Sequence, residues 1–355
     1  MIHIDGSAKS GSGTIVRYAV ALSSLLGEEL HVDNIRAKRD KPGLRPQHLT
    51  SVKACARMCG AQVEGAAVDS REIFYRPGKR IKGGEYQWEI GTAGSTTLLV
   101  MTLLPIALFA DEETVLTISG GLFQDFAPSV HHMQHVLFPT LEKMGIKASL
   151  EIARPGYVPR GGGVIRVSIE PVRNSVRPLK LLKQGNVKQV VGIALSSHLK
   201  ERKVSQRMAE TCQKVLATKG YRARIETAWD ETALQAGASL AVWAETDSGC
   251  LLGADQAGAR GRSSESIGQF VAQNLIEDLE AGATVDRYLS DQLIIYATLA
   301  SGTTEYIVPR ITEHVDSNLW LVEKFGAKTR VEGNRLFIDG IAYTGLHSIS
   351  PPMTV

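Results

Sequence analysis

The sequence predicts an α/β (α+β) protein of two domains: a large domain that uses a βαβαββ unit three times, and a smaller inserted α/β domain. Two observations predict it. An amphipathic helix that ends in glycine and runs on into a strand recurs at SVKACARMCGAQVEG (Gly60), VLFPTLEKMGIKASLEI (Gly145) and LWLVEKFGAKTRVEG (Gly326). Glycine just past a helix supplies the left-handed backbone that stops it. Residues 184–280 break that order, so the large domain is read as 1–183 with 281–355 and the stretch between as the insertion.

Each element follows in turn. The chain opens on a strand over 2–5, a glycine-rich turn and a helix over 15–26; the strand HVDNI precedes the helix that Gly60 stops, and a strand over 72–76 follows it. The second unit has a helix over 96–109, the strand TVLTISG, the helix stopped by Gly145 and a strand over 164–169. The third has a helix over 288–300, the strand TEYIVP, the helix stopped by Gly326 and a strand over 335–338. The insertion reads as strand VKQVVGIAL, helix SQRMAETCQKVLATKG, strands YRARIETAW, SLAVWAE and SGCLLGADQ, and helix SIGQFVAQNLIEDLEAG. Gly220 repeats the helix–glycine–strand feature there, so a diverged fourth copy is the other reading of that stretch.

A hydrophobic fraction of 43% and a charged fraction of 22% over 355 residues exclude disordered and fibrous classes. The net charge of +3 is small, but Arg36, Lys38, Arg39, Lys41 and Arg45 crowd one short segment with only Asp40 against them. The four cysteines form no CxxC pair, and Cys55 with Cys59 at i, i+4 reads as helix core. A reducing compartment, the cytoplasm, is expected. The opening MIHIDGSAKSG has no signal-peptide pattern, and the longest apolar run, 98–110, holds Thr102 and Pro105 and is too short to span a bilayer. No membrane association is expected.

Four segments carry chemistry. Gly6–Gly13 is a glycine-rich turn between a strand and a helix, where backbone N–H groups can approach phosphate; it is neither a P-loop nor GxGxxG. Arg17 enters the helix just beyond it. IRAKRDKPGLRPQHL turns at Pro42-Gly43 and places Pro46 at a helix start, with Gln47 and His48 in its first turn beside Arg36, Arg39 and Arg45. Guanidinium groups suit phosphate because they donate bidentately. In EHVDSN, Asp316 or Ser317 is read as capping a helix over 318–325, which puts His314 in the loop before a helix N-terminus; histidine there is a candidate nucleophile. At Tyr288-Leu289-Ser290-Asp291-Gln292, the tyrosine offers a ring for a base, and Asp291 and Gln292 offer bonds to adenine or ribose. His131, His132 and His135 have metal-like spacing but are read as an exposed helix face without a metal.

Together these segments resemble the RNA 3′-terminal phosphate cyclase family. The resemblance covers most of residues 1–183 and 255–345, and DGSAKSGSGTIVR, IRAKRDKPGLRPQHLT, IGTAGSTTLL, SGG at Ser119–Gly121, PGYVPRGGG, YLSDQL and EHVDSN carry it. It implies three repeats like the C-terminal domain of translation initiation factor 3, with a smaller domain inserted before the last. It also implies an ATP-dependent, ligase-type conversion of an RNA 3′-phosphate to a 2′,3′-cyclic phosphate through a histidine–AMP. By position, the nucleophile is His314, the nucleotide segment is Tyr288–Gln292, and the phosphate or RNA contacts are Arg17, Arg36, Arg39 and Gln47 with His48 adjacent. ATP and Mg²⁺ or Mn²⁺ are the implied cofactors, and an RNA with a 3′-phosphate end the partner. The chain departs from the family at Ser10, where a metal-holding carboxylate is usual, at Met101, where a nucleotide-contacting glutamine is usual, and at Leu122–Asp125 after SGG. Two other readings stand beside this one: a non-catalytic ribosome-assembly relative, whose branch lacks the histidine that His314 keeps, and an enolpyruvyl transferase, which needs six repeats.

Overall fold

A computed structural model describes residues 1–91 and 93–345. Its strands form four four-stranded sheets. The first joins β1 (Ile2–Asp5), β2 (Leu30–Asp33), β3 (Gln62–Glu64) and β4 (Ile73–Arg76) in the order β1-β2-β4-β3, with helices α1 (Gly13–Leu26) and α2 (Pro46–Cys59). The second joins β5 (Gly84–Glu89), β6 (Thr114–Gly120), β7 (Ala148–Arg154) and β8 (Gly163–Ile169) in the order β5-β6-β8-β7. Its helices are α3 (Thr96–Ala107) and a continuous run of α4 (Val130–His132), a π turn (Met133–Leu137) and α5 (Phe138–Lys143).

After β9 (Lys180–Leu181) come β10 (Val187–Ser197), α6 (Val204–Ala217), β11 (Ala223–Asp230), β12 (Gly237–Thr246), β13 (Leu251–Ala257) and α7 (Ser264–Glu280). The chain then makes α8 (Leu289–Gln292), α9 (Ile294–Leu299), β14 (Thr303–Ile307), α10 (Glu313–Glu323), β15 (Lys328–Glu332) and β16 (Arg335–Asp339). The last sheet has the order β15-β16-β14-β9.

Three of the sheets share one pattern. The first strand lies parallel to the second, and the remaining pairs, second with fourth and fourth with third, are antiparallel. Parallel neighbours need a crossover, and a helix supplies it. In the last sheet the crossover from β9 to β14 contains the whole β10–α7 segment. The two-residue strand β9 was not legible in the sequence, and it lies ahead of the interposed segment rather than behind it. The interposed sheet runs β11-β10-β12-β13, with β10 parallel to β11 and antiparallel to β12. That order differs from the order in the other three sheets.

The core explains which helices are apolar all round. Helix α1 is buried at every residue from Gly13 to Leu25 because it packs against α2, α3 and α10. Helix α3 is buried on nearly all sides, and α9 on all. The Thr102 hydroxyl in α3 donates to the Leu98 carbonyl, which satisfies a polar group inside this core. All four cysteines are buried and free. Among the described residues no helix is long and apolar enough to cross a membrane.

Candidate active site at converging helix starts

The packing of α1 against its neighbours brings several helix N-termini together. The turn after β1 enters α1 beside the start of α10: Ser10 N–H donates to Ser317 Oγ at 3.2 Å, the two hydroxyls lie 2.8 Å apart, and Lys9 Nζ is 3.0 Å from Asp316. On its other side α1 meets the start of α2. A Cβ at Gly13 would stand 2.1 Å from His48 Nε2, so only glycine lets the imidazole lie against the backbone there. Gln47, in the same turn of α2, accepts from the Ser95 N–H that precedes α3, at 3.4 Å. Asn318 of α10 donates to the Asp291 carbonyl and carboxylate at 3.2 and 3.3 Å, tying in α8. Helix N-termini expose unpaired N–H groups and a partial positive charge, so their convergence favours an anion.

The side chains add to that field. Arg17 is 5% exposed, and among the described residues its guanidinium bonds only Thr14 Oγ1, at 3.2 Å, and its Nε is buried without a partner. Burial lowers its pKa, with Arg36 acting the same way and Tyr18 and Asp291 opposing. His48 is pushed down to about 2 by burial and by Arg17, Arg36 and Arg45. Its Nδ1 accepts from Arg45 N at 3.2 Å, which leaves the proton of the neutral ring on Nε2. His314 keeps an exposed face, and partial burial of its ring, then the charges of Arg17 and Arg39, hold its pKa below the ordinary histidine value. The imidazole is therefore neutral at pH 7, with a free lone pair. Asp291 is pushed up to about 7 by burial, against the pull of Arg17 and Asn318.

The structure revises several sequence expectations. His314 does not end a loop. Helix α10 begins at Glu313 with Thr312 as its cap, whose hydroxyl accepts from Val315 N at 3.2 Å, so His314 lies in the first helical turn and Asp316 and Ser317 are within the helix. Arg36, from a backbone at φ 54°, uses Nη1 to donate to the Lys41 and Gly43 carbonyls at 2.7 and 2.9 Å and so braces its own loop. Arg45 is paired with Asp69. Arg39 is exposed, bonds only the Ser10 carbonyl among the described residues, at 3.3 Å, and its charge acts on His314. In the nucleotide segment Leu289, Ser290 and Gln292 are buried, while Tyr288 and Asp291 keep some surface. Gln292 Oε1 is buried without a partner. Met101 is buried within α3. The histidine cluster is not an exposed face: His131 and His132 are buried, and His135 stacks on Trp243 of β12 at 4.2 Å. Among the described residues no group of three or more His, Cys, Asp or Glu side chains is placed to hold a metal.

One feature of the site has no signal in the sequence. Asp286, fully buried, accepts from the Tyr288 and Leu289 N–H groups at the start of α8, from Gly253 N and from His132 Nε2, all between 2.8 and 3.0 Å. Burial alone raises a carboxyl and lowers an imidazole. Burial is the largest single influence on each, but the mutual charge and the hydrogen bonds together outweigh it, so Asp286 stays below and His132 above its usual value. Beside it, Arg287 clamps Asp278, Glu277 and Asn274 of α7. These ion pairs fix the Tyr288–Gln292 segment against the second sheet's helix and the interposed sheet. Their partners lie far apart in sequence, so no local pattern announces them.

The fold belongs to a class of RNA-end-processing proteins: the chain matches the RNA 3′-terminal phosphate cyclase family over residues 8–331. It belongs to that family. It is 38% identical to an RNA 3′-terminal phosphate cyclase of Pyrobaculum neutrophilum, over 96% of this chain and 99% of the relative. It is 40% identical to one of Pyrococcus abyssi, over 92% and 94%, and 37% identical to one of Methanopyrus kandleri, over 92% and 93%.

Proposed function

We propose that this chain converts an RNA 3′-phosphate end into a 2′,3′-cyclic phosphate, consuming ATP through AMP held covalently on His314. One observation carries the reading: an exposed, neutral imidazole sits in the first turn of α10, where several helix starts and two arginines favour phosphate. A His314 ring nitrogen attacks the α-phosphorus of ATP, the bond to the β-phosphate oxygen breaks, pyrophosphate leaves and the ring proton passes to solvent. An oxygen of the RNA 3′-phosphate then attacks the same phosphorus and returns the histidine, giving an RNA-(3′)pp(5′)A anhydride. The 2′-hydroxyl attacks the RNA phosphorus, loses its proton and expels AMP. Arg17 and Arg39 offset the charge that builds on the phosphoryl oxygens. Gln47 and His48 Nε2–H donate toward the RNA phosphate, and Tyr288, Asp291 and Gln292 meet the adenosine.

Mg²⁺ or Mn²⁺ would be held largely by the ATP phosphates and would offset their charge, since Mg²⁺ keeps several waters and binds through substrate phosphates with one or two carboxylates. Asp316, exposed and two residues from His314, is a carboxylate within this region. The reading also takes the sheet unit as three βαβαββ repeats with 184–280 inserted, and places the protein in the cytoplasm, in keeping with its free, buried cysteines. Incubation with α-labelled ATP should leave acid-labile, alkali-stable label on the protein, and His314→Ala should abolish it. Label retained on His314→Ala would end the assignment. A protein that takes no label in either form would instead point to the non-catalytic relative.

A further inference from the structure

The PGYVPRGGG segment docks the second sheet on the interposed one. Gln235 Nε2 donates to the Val158 carbonyl at 2.6 Å, Arg160 donates to the Leu234 carbonyl at 3.0 Å, and the Tyr157 hydroxyl lies 2.9 Å from Ser197 Oγ. A Cβ at Gly237 would stand 2.2 Å from the Tyr157 ring, so that glycine lets the ring wedge between the sheets. Above this joint lies a cleft of about 1350 Å³. That is larger than the roughly 300–1,000 Å³ of a small-molecule pocket. Its lining includes Gln47, which is also in the first turn of α2 at the candidate active site. It also includes residues of the turn at 199–204 and of the loop at 257–264. Phe126 projects its ring fully into solvent at the rim, held at φ 65°. Arg202 and Arg260, both exposed lining residues, make no ion pair among the described residues, whereas Arg207 and Arg262 are paired with Glu265 and Asp125.

We propose that this cleft receives the single-stranded RNA chain on the 5′ side of the reactive end, with Phe126 as a stacking platform and Arg202 and Arg260 as backbone contacts. Unpaired cations and an exposed ring along a groove are what single strands bind without regard to sequence. The groove's continuity with Gln47 would deliver the 3′-phosphate to His314. The inference rests on the cyclase reading for the identity of the end but not for the binding itself.

The test combines Phe126→Ala, Arg202→Ser and Arg260→Ser in the full chain, with the thermal midpoint as a fold control. Fluorescence anisotropy would use a labelled, 3′-phosphorylated RNA of about ten nucleotides, within the usual span of single-strand sites. The triple variant should bind roughly tenfold or more weakly. Its slope of log affinity against log salt should flatten by about 1.4, at about 0.7 per lost phosphate contact. KM for the oligomer should rise with kcat unchanged, KM for a dinucleotide 3′-phosphate should stay put, and labelling by ATP alone should be unaffected. Full RNA affinity in the triple variant overturns the proposal, as does an equal loss for dinucleotide and oligomer. Absence of ATP labelling in the unaltered protein would sink the catalytic reading, while the anisotropy series still decides the cleft.

Discussion

Two charged regions lie on either side of α8 and behave in opposite ways. At the helix starts, Arg17 and Arg39 make no ion pair among the described residues, and burial first, then that positive charge, holds the His48 and His314 pKa values down. At the joint behind α8, His132 meets Asp286, and Arg287 meets Asp278 and Glu277. The second region holds elements together because its charges are satisfied within the protein. The first is open to a phosphate because its charges are not. A residue's charge alone therefore says little; whether a partner already occupies it decides between structure and binding.

The comparison breaks most visibly if the joint proves dispensable. His132→Ala leaves the Asp286 carboxylate buried without its partner, and such a loss costs about 3–5 kcal/mol of stability. Urea unfolding should show that drop; a change near zero would mean that Asp286 is satisfied by backbone N–H groups alone. The opposite outcome is expected at the helix starts. Arg39→Ala should leave the thermal midpoint unchanged while cyclisation falls by the worth of a charge-assisted phosphate contact, about 1.5–3 kcal/mol or roughly tenfold or more. Arg36→Ala should lower both, because that side chain also braces its loop. Stability lost on Arg39→Ala with turnover intact would erase the distinction.

Asp291 sharpens the boundary between the two regions. Its folded pKa of about 7 lies above the unfolded value of about 3.9, so it destabilises the fold as pH rises through that interval. Asp291→Asn should match the unaltered protein near pH 4 and exceed it in stability at pH 8 by on the order of 1–3 kcal/mol. Equal stability at both pH values would show that Asp291 is solvated like a surface carboxylate. The smallest effect is expected at Ser10, whose hydroxyl bridges to Ser317. Ser10→Glu should lower the Mg²⁺ concentration for half-maximal adenylylation a few-fold without changing the plateau. Superimposable titration curves would assign the metal's protein contact elsewhere.

Local signals made much of this protein legible. Glycine after a helix marked Gly60, Gly145 and Gly326, and the structure stops α2 at Gly60 with φ 68°. Strand and helix periods located every element of the interposed sheet, because period and caps are properties of neighbouring residues. The sequence points to Asp316 or Ser317 as the cap of α10 because both are capping types, whereas in the structure the Thr312 hydroxyl accepts from Val315 N. The buried histidines were misread because three polar residues at helical spacing look like a solvated face until a second sheet covers them. β9 escaped notice because two residues carry no period.

What the sequence by itself determined is the inventory: the glycine turn, the arginine loop, the histidine in EHVDSN and the elements that carry them. Only the tertiary structure decided that Ser10 would meet Ser317, that Gly13 would lie under His48, and that Arg45 would be paired while Arg39 stayed free. Propensity acts between residues a few positions apart. Charge compensation and desolvation depend on which groups finally come within a few ångströms, and across 307 residues only the packing of α1 against α10 settles that.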